Sequence, residues 1–92
     1  EILDEKDNGN DLTIYKYYLL QYRINMIEGN IYEAENTLLM ALEYTEIAQL
    51  KDEYAEVSIL IGKFYVDNGM DEKAAKYLNA GVEAFKKLGV LK

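Results

Sequence analysis

With 92 residues, half of them apolar, the chain is long enough for one small domain at most. It has no cysteine and no histidine, which excludes disulfides, thiolate–metal sites and the commonest general base and metal ligand. Its formal charge of 10 − 17 = −7 argues against direct nucleic-acid binding, and the longest apolar stretch, 14–27, is broken by Lys16, Gln21, Arg23 and Asn25 and is too short and polar to span a bilayer.

The acidity is concentrated at the start. Residues 1–11 hold Glu1, Asp4, Glu5, Asp7 and Asp11 against Lys6, leaving 9 − 12 = −3 for the rest. Residues 1–6 read as the end of a helix and Asp7-Asn8-Gly9-Asn10 as the turn that terminates it. Four helices are then expected, over 12–28, 31–48, 53–68 and 71–88; no Pro interrupts them. The first is apolar nearly all round, with Ile14, Tyr15, Tyr17, Tyr18, Leu19, Leu20, Tyr22 and Ile24, and so expects neighbours on more than one side. Gly29 closes it, and Asn30 with Glu33 forms a capping-box pattern for the second. The third carries Tyr54, Val57, Ser58, Ile61, Gly62 and Tyr65 on one face and a second stripe at Leu60 and Phe64. Gly69 closes it and Asp71 is the expected N-cap of the fourth. The fourth places Ala74, Tyr77, Leu78, Gly81, Val82, Phe85 and Leu88 on one face.

A shift of 40 residues superposes the two halves. It aligns Leu20 with Leu60, Gly29 with Gly69, Ala34 with Ala74, Leu38 with Leu78 and Glu43 with Glu83. Ala34 and Ala74 stand early in each second helix, where a small residue lets two helices approach. Carried backwards, the register puts Ile2 in the core column of Leu42 and Val82. The expected organisation is therefore the tail of a preceding repeat over 1–10, one repeat over 11–50 and a second over 51–92. The missing initial Met and the mid-helix start make a fragment of a longer array the expectation.

The residues Gly62, Tyr65, Gly69, Ala74, Leu78 and Gly81, and in the first copy Gly29, Ala34, Leu38 and Ala41, resemble the tetratricopeptide repeat. The first copy departs from that pattern at Gln21, Tyr22 and Asn25. The 40-residue period is longer than the family's usual one. It resembles the extended repeats of bacterial peptide-sensing regulators, namely Rap-type phosphatases and helix-turn-helix transcription factors. The resemblance implies an all-α fold, an α-α superhelix of two hairpins of about 40 residues each. It also implies a peptide or protein partner on a concave face lined by the first helix of each repeat. Carried onto this sequence, that face holds Lys16, Leu19, Arg23, Met26 and Ile27, then Glu56, Ile59, Lys63, Val66 and Asp67.

Arg23, the sole arginine, and Lys63 are 40 residues apart and share one repeat position. Flanked by Leu19 and Ile59, they form a candidate clamp for a peptide carboxylate; the plain alternative is two solvated charges. Asn25 is a further candidate for hydrogen-bonding a peptide backbone if it faces the groove. Tyr15, Tyr17, Tyr18 and Tyr22 serve either core packing or recognition. No catalytic constellation is present. Ser58, the only serine, reads as a small packing residue, and Glu33/Glu35, Asp52/Glu53 and Asp71/Glu72 as charges favoured at helix starts. We expect a protein- or peptide-binding module with no catalysis, metal or cofactor, in a cytoplasmic regulatory protein. A structural or self-associating scaffold element is the alternative.

Overall fold

The computed structural model describes the backbone of residues 2–90 and the side chains of 9–90. It is all-α, with helices α1 (Ile2–Ile27), α2 (Ile31–Ile47), α3 (Lys51–Asp67) and α4 (Asp71–Lys87). Two compact units divide the chain, Glu1–Leu50 and Lys51–Lys92. In the first, α1 packs on α2; in the second, α3 packs on α4.

The turn expected over residues 7–10 is absent. Those residues lie inside α1, which runs for 26 residues against 17 in each other helix. Gly9 is helical, and its carbonyl accepts a hydrogen bond from Thr13 Oγ1 at 3.0 Å. Asn and Gly inside a helix each cost only up to about 1 kcal/mol relative to Ala, and without Pro nothing forces a stop. Residues 2–10 therefore run without a break into the helix of the first hairpin, and the core placement expected for Ile2 lies outside the described side chains.

Every helix closes in the same way. Gly29, Gln49, Gly69 and Gly89 take φ of +78°, +58°, +74° and +81°. They fall on a strict beat: 49 − 29 = 69 − 49 = 89 − 69 = 20. After each, a backbone N–H reaches back five residues. Asn30 donates to the Asn25 carbonyl at 2.8 Å, Leu50 to Thr45 at 2.9 Å, Met70 to Tyr65 at 2.8 Å and Val90 to Phe85 at 3.0 Å. These are Schellman closures, which satisfy carbonyls that the helix end would otherwise leave open.

The same closure overturns two expected caps. The capping box needs the Glu33 side chain to accept from the Asn30 N–H, but that N–H is already spent on Asn25. Asn30 makes no side-chain cap; its amide instead donates to Glu28 at 3.4 Å. The N-cap of α4 is Met70 rather than Asp71, and Asp71 and Glu72 occupy the first turn, where the helix dipole favours carboxylates.

The second hairpin is locked by two reciprocal notches. A Cβ at Gly62 would stand 2.5 Å from Cγ and Cδ2 of Leu78, and one at Gly81 would stand 2.5 Å from Cδ1 of Ile59. Each helix thus offers a large side chain and, three residues on, a glycine that receives the partner's. Next to the notches Tyr65 packs on Tyr77, with ring centroids 5.7 Å apart, and Ala74 is buried. The first hairpin lacks this device, because Tyr22 stands in the place of Gly62. Buried Ala34, Leu38 and Ala41 line α2 instead, and polar contacts tie the helices. Asn25 Nδ2 donates to Thr37 Oγ1 at 3.1 Å, Thr37 donates on to the Glu33 carbonyl at 2.8 Å, and the Tyr44 hydroxyl donates to the Asp11 carboxylate.

Three glycines should respond differently to alanine in chemical unfolding. Gly62→Ala and Gly81→Ala each destabilise by about 1–3 kcal/mol, because the clash outweighs the gain in helix propensity. Gly9→Ala, with open space around it and a helical backbone, stabilises by about 0.5–1 kcal/mol. The left-handed Gln49 makes the converse prediction: Gln49→Gly raises the unfolding midpoint, corresponding to about 0.5–1 kcal/mol.

Candidate interaction surface

The long helix α1 turns one face to α2. Tyr15 is buried there, Tyr18 packs on Tyr44 with centroids 6.1 Å apart, and Asp11 and Asn25 make the polar ties described above. Tyr22 is half-buried. Asn25 therefore faces the hairpin interior and is not available to a peptide backbone. Of the four clustered tyrosines only Tyr17 is well exposed; its ring meets Tyr18 edge-on at 6.2 Å.

At 3.6 residues per turn, Tyr17, Leu20, Ile24 and Ile27 fall within an arc of about 80°, turned well away from the α2 side. They are 57%, 51%, 37% and 85% exposed, a continuous apolar stripe in water. Ile14, also exposed, borders it on one edge, and Lys16 and Arg23 border it on the other. The sequence marks α1 as apolar all round but does not tell which side stays open. The i, i+3, i+7, i+10 spacing of these four residues is the signal that could have isolated the stripe.

The residues assigned to a binding groove separate in each hairpin. On α1, Lys16, Arg23 and Met26 are exposed and Leu19 is half-buried. On α3, Glu56, Lys63, Val66 and Asp67 are exposed. Ile59 is different: its side chain fills the notch at Gly81, so it serves hairpin packing rather than an open groove. Lys63 pairs with Asp67 at 3.1 Å, one helical turn on, with both side chains well exposed. A pair of that kind contributes roughly 0.2–1 kcal/mol. Among the described residues no carboxylate pairs with Lys16 or Arg23. Their neighbours at three and four residues (Leu12, Thr13, Leu19 and Leu20 for Lys16; Leu19, Leu20, Met26 and Ile27 for Arg23) carry no charge.

No group of three or more carboxylates able to hold a metal ion occurs among the described residues. Ser58 is fully buried, and its Oγ has no hydrogen-bond partner. Among the described residues no helix is long and apolar enough to cross a membrane. Compared with known proteins, the chain matches no family model, no curated protein and no solved structure.

A buried hydroxyl without a partner costs free energy that alanine does not. Ser58→Ala should therefore stabilise the chain by about 1 kcal/mol in a denaturant titration. A loss of stability would mean that the hydroxyl has a role in the packed state.

Proposed function

We propose that the chain is a protein- or peptide-binding helical-repeat module of the tetratricopeptide type, serving a peptide-sensing regulator and carrying no catalysis of its own. The observation that supports this is the exposed stripe Tyr17, Leu20, Ile24 and Ile27 on a helix whose other side is packed. Contiguous exposed apolar surface rimmed by charge is what interaction sites offer and what a solitary chain avoids. The 40-residue register and the Gly62, Gly69, Ala74 and Gly81 positions support the family assignment. Binding of this kind requires a preformed surface and no chemistry. A parent protein would convert occupancy into a shift of conformational population.

The alternative, a scaffold element that self-associates, draws on the same stripe, and one pair of measurements separates the two. Peptides selected from a random library against the chain should lose about tenfold or more in affinity on the double substitution Leu20→Ser, Ile24→Ser, with helical circular dichroism unchanged. Both positions are exposed, so the hairpin tolerates the change. If no selected peptide responds, and sedimentation shows an oligomer that the same substitution dissolves, the scaffold reading replaces the binding one.

A further inference from the structure

The 40-residue register allows each position on α1 to be compared with its counterpart on α3. Tyr17, Leu20 and Ile24 correspond to Val57, Leu60 and Phe64. Val57 and Phe64 are 0% and 2% exposed and Leu60 is half-buried. In the first copy the same face is open. Its residues are as apolar as their counterparts.

The two copies also differ in how they treat their cation. Lys63 has Asp67 four residues on, and the two pair. Arg23 has Ile27 at that place, the most exposed large apolar side chain of the chain's described residues. The carboxylate that satisfies the cation in one copy is replaced by a hydrophobe in the other. Lys16, one heptad before Arg23, is likewise surrounded by uncharged neighbours. The open stripe is thus bordered along one edge by two cations that pair with no carboxylate among the described residues, in a chain whose net charge is −7.

We propose that the face formed by Tyr17, Leu20, Ile24 and Ile27 docks an acidic amphipathic α-helix of a partner protein. Leucine-like side chains of that helix would cover the stripe, and carboxylates along its edge would meet Lys16 and Arg23. A helix is the fitting shape because the stripe is straight and extends over about three turns, the footprint of i, i+3, i+7 anchors. An acidic edge supplies the counter-charge that the second copy draws from Asp67. A second copy of this chain set antiparallel on the same stripe would bring the Lys16 and Arg23 edge against itself, which disfavours that occupant. The inference rests on the binding-module reading and adds the partner's shape and charge.

The test uses the full chain and two labelled synthetic helices of about five turns with the same leucine stripe, one flanked by glutamates and one by lysines. Fluorescence anisotropy should detect the glutamate peptide and not the lysine peptide, with affinity falling as salt is raised. The variant Lys16→Glu, Arg23→Glu should weaken the glutamate peptide by about tenfold or more and gain binding to the lysine peptide. That exchange of preference cannot arise from unfolding. Equal binding of both peptides, or no binding of either, would overturn the proposal. So would a dimer in sedimentation that Leu20→Glu converts to monomer, since the face would then belong to a second copy. If an acidic peptide interrupted by prolines binds while the helical one does not, the docked-helix proposal fails and the binding-module reading survives.

Discussion

Each helix in this chain ends where one residue takes a left-handed backbone, and the spacing of those residues sets the dimensions of the helices and turns. Gly29, Gln49, Gly69 and Gly89 supply the residue at intervals of 20. Each time, the next N–H is returned to a carbonyl five residues back, so the turn spends no side chain and takes only three residues. The turn within each hairpin is too short to leave slack. Helices α2, α3 and α4 come out at the same length, and large and small side chains are brought opposite one another across a hairpin by count alone. The notches of Gly62 and Gly81 require such a fixed phase, because a slip of one residue would bring Cβ atoms where Ile59 and Leu78 now sit.

Within that frame the two hairpins solve the same problem by different chemistry. The second brings its helices together on glycine and covers the seam with Tyr65 and Tyr77. The first has tyrosine where a notch would be, and relies on buried alanines and on the Asn25–Thr37 and Tyr44–Asp11 hydrogen bonds. Such bonds each contribute modestly to stability but fix geometry, since a half-satisfied partner costs more than an apolar one. The outer side of α1 remains apolar and wet. This combination of a polar-tied inner face and a hydrophobic outer face directs the functional reading to the first hairpin.

Much of this was legible in the residues. Gly29, Gly69, Ala34, Ala74, Gly62 and Gly81 report their positions because few other residues fit a left-handed turn or a close helix crossing. The helix count and the hairpin pairing follow from them. Other features were hidden for physical reasons. Gln49 carries no mark of a left-handed residue, and the turn imposes that conformation on it. Asp7-Asn8-Gly9-Asn10 has turn composition, yet its residues are only mildly unfavourable in a helix and the surrounding helix overrides them. The capping box at Asn30 looked complete until its backbone N–H proved to be committed elsewhere. Ile59 shares a helix with Lys63, but periodicity gives the direction of a side chain and not the notch that receives it. The stripe on α1 was visible as hydrophobicity, whereas which of its sides stays open depends on packing.

The three-residue turns have a consequence for how the chain reaches its native state. Within the hairpins, the paired groups are close in sequence: 12 residues separate Asn25 from Thr37 and 33 separate Asp11 from Tyr44. Loop-closure entropy grows with the logarithm of loop length, so contacts of this range are inexpensive to form, and topologies built from them fold in microseconds to milliseconds. Both ties belong to the first hairpin, and Asn25 and Thr37 flank its turn, where the Gly29 closure brings them near each other. Chain collapse can therefore start at a turn and run outward along the helices.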